Sequence, residues 1–297
     1  MRFPRTILAG VAVSTLAGAA ACGGDTGGSQ RPAGATALYD ALPDGIKETG
    51  VIRFAGDSHP PYRIVGNDGK TVTGIDKELQ DALGKALGVR TEISIVNGLP
   101  AALSGMLASR YDAFNGPVKD TAEREKQFDA IVWMVTRTSY LIPKAGSAAV
   151  KSSADLCGKR VAGTAGSIVE DQVKRLTEWC AKQGKAGIDF VGLADTNGTI
   201  LAAKSGRADA AGMTESAALD VLGKEKDAFT YVTQTDEQGA GVDQLAMLVP
   251  KSGGLGPVML DAFKEIFASG EYKKIMDKYG LQNVAVEEPR MNTAATP

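Results

Sequence analysis

Histidine is almost missing from this chain: His59 is the only one. Cysteine is scarce too, with Cys22, Cys157 and Cys180 far apart. These shortages exclude a Cys/His metal centre, and the expectation is no metal and no cofactor. Clustered basic charge is also lacking. The net charge is −2, no run of Lys or Arg exceeds two residues, and aromatic residues make up only 6%. That leaves neither an electrostatic footprint nor a stacking platform for nucleic acid. The long apolar run, Ile7–Ala21, is too short to span a membrane comfortably. What is present, 43% hydrophobic residues over 297 positions, suffices for one large or two medium domains with real cores.

The first residues read as targeting rather than fold. Arg2 and Arg5 precede the apolar run, which ends in Ala19-Ala20-Ala21-Cys22 before Gly23-Gly24. Residues 1–21 are expected to be a signal peptide. The small residues before Cys22 resemble a bacterial lipobox, with Ala19 where Leu or Val is usual; the resemblance implies lipidation of Cys22. Ordinary cleavage after Ala21 is the alternative. The Gly/Ser-rich residues 22–36 read as a flexible tether. In an exported chain Cys157 and Cys180 are expected to form a disulfide, contributing about 3 kcal/mol by closing the loop between them.

From Gly50 onward short apolar strands alternate with amphipathic helices, the pattern of an α/β fold with a mainly parallel sheet. Strands are expected at Gly50–Gly56, Thr91–Val96, Tyr111–Phe114, Lys159–Gly163, Asp189–Leu193, Ala208–Met213 and Gln244–Pro250. Helices are expected at Asp76–Leu87, Pro100–Ser109, Ser167–Lys182, Asp195–Ser205, Thr214–Leu222, Leu255–Gly270 and Glu271–Tyr279. Two long connections, near Trp133–Pro143 and Gln238–Val249, suggest two lobes joined by two crossings. The expected boundaries are 37–136 with 245–285 for the first lobe, 137–244 for the second, and a disordered tail over 286–297. Ligands of open α/β sheets sit beyond the carboxyl ends of the strands. Here those ends carry Asp57–Tyr62, Asn115–Arg124, Gly163–Ser167 and Thr214-Glu215.

Within these segments Arg124 stands out. Asn115-Gly116-Pro117 reads as a turn, and Asp120 with Glu123 as a capping box that starts a short helix. An Arg in a first helical turn opposes the macrodipole. A bound carboxylate explains it through bidentate hydrogen bonds; a solvated pair with Glu123, Glu125 or Asp129 is the plainer alternative.

Several motifs in order, GIDKELQDALGKALG, SRYDAF, TAEREKQFD, DLCGKRVA, SGRADAAG and SGEYKKIMDKYG, resemble the extracellular solute-binding proteins of ABC importers, in the polar amino-acid family (family 3). The resemblance covers nearly all of Thr49–Asn283. It implies a two-lobed periplasmic-binding-protein-like fold of type II with two hinge crossings. It also implies a lipid-anchored monomer outside the cell membrane that closes on a small solute and delivers it to a membrane permease. In that family the Thr-x-x-Arg arginine grips the ligand's α-carboxylate, which places Arg124 in that role. The other ligand-site positions fall on Asp57, His59, Tyr62, Asn115, Pro117, Lys119, Gly166, Ser167, Ile168, Thr214 and Glu215. Thr214 departs from the family, which carries there an Asp for the α-ammonium. The solute is then either a carboxylate without a standard α-amine or an ordinary amino acid whose ammonium meets Asp57 or Glu215. The resemblance implies no enzyme; a dehydratase using Glu215 or His59 as general acid, and a sensor for a membrane receptor, are the rivals.

Overall fold

The computed structural model describes residues 37–145 and 150–294. The signal segment, Cys22 and the tether lie outside the described residues. Helices α1 (Ala37–Asp40) and α2 (Asp44–Thr49) lead into β1 (Val51–Gly56). A hairpin of β2 (Ile64–Val65) and β3 (Val72–Thr73) precedes α3 (Ile75–Leu87), β4 (Arg90–Ile95), α4 (Gly98–Leu107) and β5 (Ala113–Lys119). Then come β6 (Phe128–Thr136), β7 (Thr138–Pro143), β8 (Arg160–Thr164), α5 (Ile168–Lys182), β9 (Asp189–Leu193) and α6 (Thr196–Lys204). The chain finishes with β10 (Ala210–Thr214), α7 (Glu215–Lys224), β11 (Phe229–Thr233), β12 (Asp243–Pro250), α8 (Leu255–Ala268), α9 (Glu271–Lys278) and β13 (Ala285–Met291).

Two mixed sheets organise two lobes. The first has the order β13-β6-β12-β5-β1-β4, the second β11-β7-β10-β8-β9. In each, parallel strands from the βα units meet antiparallel strands from the crossings: β1 runs parallel to β4 and β5, while β12 runs antiparallel to β5 and β6. The chain passes from β6 to β7 at Arg137 and returns through residues 239–242 into β12. Apolar faces cover the sheets. Leu79 and Leu83 of α3 and Met259 and Phe263 of α8 are fully buried in one cluster with Ile52, Phe54 and Trp133. The Tyr272 hydroxyl donates to the Trp133 carbonyl at 2.6 Å.

Three expectations are corrected. Asn115-Gly116-Pro117 is not a turn but the middle of β5, where Val118 and Lys119 pair with β12. The segment with Arg124 is a single 3-10 turn, Arg124–Lys126, without an Asp120 cap. Thr121 Oγ1 instead accepts from Arg124 N at 3.2 Å. The tail is not disordered from 286: β13 pairs antiparallel with β6. Beyond it Asn292 brackets Ala130, Thr293 N and Oγ1 donate to Asp120 Oδ2 at 3.0 and 2.8 Å, and Ala294 N donates to Glu125 Oε1 at 2.7 Å. Asp120 Oδ2 is thus turned to the chain end and not to the 3-10 turn.

The disulfide expectation holds: Cys157 and Cys180 are bonded, joining the turn before β8 to α5.

Candidate functional site

The carboxyl ends of β1 and β5 in the first lobe face those of β8 and β10 in the second, and the lobes touch. The Tyr62 and Ser216 hydroxyls are 2.5 Å apart. His59 Nδ1 and Thr196 Oγ1 are 2.8 Å apart, and Asn197 Nδ2 donates to Ser58 Oγ at 2.7 Å. Arg124 Nη2 donates to the Gly166 carbonyl at 2.9 Å. The cleft is therefore closed by direct contacts from two first-lobe segments, the loop after β1 and the turn with Arg124.

The loop after β1 is held from two sides. His59 and Arg63 exchange backbone hydrogen bonds of 3.0 and 2.9 Å. The start of α3 grips it as well, Ile75 N donating to Pro61 O and Asp76 N to Tyr62 O. Gly74 permits that approach: at φ 114° it adopts a backbone that favours glycine, and a Cβ there would lie 2.5 Å from both carbonyls. Burial of the Tyr62 hydroxyl pushes its pKa up to about 12. Burial likewise holds His59 down at about 4, so the ring is neutral at pH 7.

The sequence reading missed Arg63, which organises this corner. Its guanidinium is fully buried. Nε donates to Asp57 O at 2.7 Å, Nη1 to Asn115 O at 2.6 Å, and short contacts join Nη2 to Asp57 Oδ1 and Nη1 to Asp76 Oδ2. The group also lies over the Phe114 ring, 4.9 Å from its centroid. Burial opposes the charge, but Asp57 and Asp76 more than offset it, so the pKa is raised. Burial raises Asp76 to about 6 against the pull of Arg63. No helical i,i+4 spacing announces this cluster, because its members come from β1's loop, α3 and β5.

Lys119 is also paired. Its ammonium is 2.6 Å from Asp243 Oδ1, and Gln172 of α5 donates to Asp243 Oδ2 at 2.5 Å. Arg124 differs from both. Its Nη1 donates to Lys119 O at 2.7 Å, its Nη2 to Gly166 O, and among the described residues it forms no ion pair. Burial lowers its pKa, opposed at longer range by Asp171 and Asp120. The acidic neighbours available to it locally have other partners. Glu123 pairs with Lys126, Glu125 accepts from Ala294 N, and Asp129 pairs with Lys251.

The second lobe departs from the expectation. Gly166 N donates to Glu170 Oε2 at 2.7 Å, Ser167 N to Thr164 O, and Val169 N to Ser167 Oγ. Three N–H groups at the start of α5 thus already have partners within the second lobe, and Ile168 is buried. Thr214 is buried and caps α7, accepting from Ala217 N at 3.3 Å. Glu215 is half-buried, with its backbone N–H on Arg137 O. Pro117 is buried within β5. Two buried polar atoms at the first-lobe edge, His59 Nε2 and Asn115 Oδ1, have no partner among the described residues.

Residues 52–282 match the family model described as bacterial extracellular solute-binding proteins, family 3. The chain belongs to this family. Among its relatives is the L-cystine-binding protein TcyJ of Escherichia coli, 27% identical over 247 residues that cover 81% of this chain and 86% of that protein. The L-glutamate/L-aspartate-binding protein of Pseudomonas aeruginosa is 26% identical over 259 residues, 83% of this chain and 82% of that one. The structure of the substrate-binding protein of an amino acid ABC transporter superposes with a TM-score of 0.67 at 25% identity, covering 78% of this chain and all of that one. These relatives are named for binding rather than for catalysis. The family and the two-sheet architecture give a periplasmic-binding-protein-like fold of type II. No helix among the described residues is long and apolar enough to cross a membrane.

Proposed function

We propose that this family 3 protein binds a small carboxylate-bearing solute between its lobes and hands it to an ABC importer. Arg124 is the carboxylate anchor. The lobes, 37–136 with 245 onward and 137–244, close about the crossings at Arg137 and 239–242. The chain is exported as a lipid-anchored monomer through Cys22.

One observation carries the reading. Of the cations at the cleft, buried Arg63 and half-buried Lys119 are neutralised by Asp57, Asp76 and Asp243, whereas half-buried Arg124 donates only to carbonyls. A guanidinium in a low-dielectric cleft without a counter-ion favours an anion. The same pairing argues against an α-ammonium partner: Asp57 is engaged and Thr214 is a helix cap. The solute class supported is therefore a carboxylate lacking a free α-amine, such as a dicarboxylate or an N-substituted amino acid. Asn115 Oδ1 and His59 Nε2 are available to fix its orientation.

Calorimetry against dicarboxylates, N-acyl amino acids and free amino acids tests this. Binding of the first two classes is expected, and Arg124→Ala is expected to cost roughly 2–5 kcal/mol of that affinity. Tight binding of a free zwitterionic amino acid alone would overturn the solute class and point to Glu215 as the ammonium partner. Unchanged affinity in Arg124→Ala would overturn the anchor.

A further inference from the structure

We infer that Arg63 is a specificity-determining residue: a resident guanidinium that fills the acidic corner of the cleft formed by Asp57 and Asp76 and so excludes cationic solutes. The inference rests on the cleft being the solute site.

The corner is built around a guanidinium. Asp57 supplies a carboxylate and a carbonyl, Asp76 a second carboxylate, and Asn115 a carbonyl, all converging on Arg63. Phe114 supplies a flat face beneath it. The backbone is cut away to admit it. A Cβ on Gly56 would lie 2.5 Å from Arg63 Cδ, and one on Gly116, at φ 157°, would overlap Nη1. The corner also borders the cleft. Asp57 is followed by Ser58 and His59, which touch Asn197 and Thr196 of the opposite lobe. Asn115 Nδ2 donates to Asp76 Oδ1 at 3.4 Å while Oδ1 of the same amide is unpartnered.

Arg63 and Arg124 are anchored to the carbonyls of Asn115 and Lys119, at the two ends of one stretch of β5. β5 is irregular between those anchors, four of its residues opposing two of β12, so they lie closer together than the roughly 13 Å of four fully extended strand residues. A solute of arginine's length is long enough to reach from one to the other. A solute whose carboxylate sits on Arg124 therefore carries its far end toward the corner. With Arg63 in place, a cationic far end meets a cation and two spent carboxylates. With Arg63 removed, two buried carboxylates remain without a counter-ion, and a solute guanidinium satisfies both.

The experiment is calorimetry of Arg63→Ala and wild type with L-arginine, alongside thermal shift with methylguanidinium. Arg63→Ala is expected to bind L-arginine about 30-fold or more tightly than wild type, the factor equivalent to one restored buried charge pair. Adding Arg124→Ala to that variant is expected to abolish the gain. Methylguanidinium is expected to raise the melting temperature of Arg63→Ala and not of wild type. A folded Arg63→Ala that binds L-arginine no better than wild type overturns the inference, even if methylguanidinium stabilises it, because the corner is then an ion-pair site walled off from the cleft. Should the variant not fold unaided, refolding yield in L-arginine with and without the added Arg124→Ala change is the readout: a recovery that needs Arg124 supports a corner open to the cleft, and a recovery that does not, or none at all, overturns it. The anchoring role of Arg124 is judged separately, by Arg124→Ala in the otherwise unaltered protein with its own solute.

Discussion

Tyr62 and Ser216 share a hydroxyl–hydroxyl hydrogen bond of 2.5 Å although they belong to different lobes and lie 154 residues apart. The bond exists only while the cleft is closed, so it contributes to closure and not to either lobe alone. Tyr62→Phe keeps the buried ring and deletes the contact. Its net worth, about 0.5–1.5 kcal/mol, corresponds to a solute affinity weakened roughly 2- to 12-fold. Small-angle scattering of the variant without solute is expected to show a more open average shape, and an unchanged profile would argue that the contact has no part in closure.

His59 gives the closed cleft an acid-sensitive seam. Its folded pKa of about 4 lies below the ordinary 6.5, mainly through burial, so its contribution is present above pH 6.5 and is lost as pH falls toward 4. The full effect is on the order of 3 kcal/mol. Asp76 and Asp120, both raised to about 6 by burial, act in the opposite sense and favour the folded state as pH falls through that value. The diagnostic quantity is therefore a difference. His59→Asn is expected to be less stable than wild type at pH 7, with the gap closing by pH 4 in urea titrations.

The chain end braces the Arg124 turn. Thr293 and Ala294 donate to Asp120 and Glu125, on either side of Arg124. Truncation after Met291 removes those donors and leaves two neighbouring carboxylates less compensated. A loss of about 1–3 kcal/mol of stability is expected, together with weaker solute binding. Equal melting temperatures for the full and truncated chains would show the brace to be idle.

The Cys157–Cys180 bridge closes a loop within the second lobe. Replacing both cysteines by alanine is expected to cost about 3 kcal/mol of stability. Solute affinity should stay within about twofold at low temperature, because neither cysteine lines the cleft; a large affinity loss with intact folding would place the bridge in the closure mechanism.

Much of the architecture was legible in the chain. The alternation of apolar strands and amphipathic helices located α3, α5 and β8 through β10, because each obeys a local period that one-sided burial imposes. Asp195, at the head of an expected helix, is the kind of residue that caps one for the same local reason, and it accepts the Gly198 N–H. What escaped depends on distant partners. Arg63 looked like one more charged residue beside a hairpin; its carboxylates come from 6 and 13 residues away and its second carbonyl from 52. Asp120 and Glu123 spelled a capping box, but Asp120 Oδ2 is turned to the distant Thr293. β13, with Glu287, Glu288 and Pro289, lacked the apolar alternation of a core strand. An edge strand tolerates charge and proline because one of its sides faces water.

That edge strand has a practical bearing on handling the protein. β6 (FDAIVWMVT) is almost wholly buried and strongly β-prone. It has β12 on one side and only β13 on the other. A chain ending before Ala285 bares a row of unpaired N–H and C=O groups on the most apolar strand of the first lobe. Such a product is liable to stick to other copies of itself through that seam. The charged, proline-bearing β13 is what keeps the seam from being offered to a neighbour.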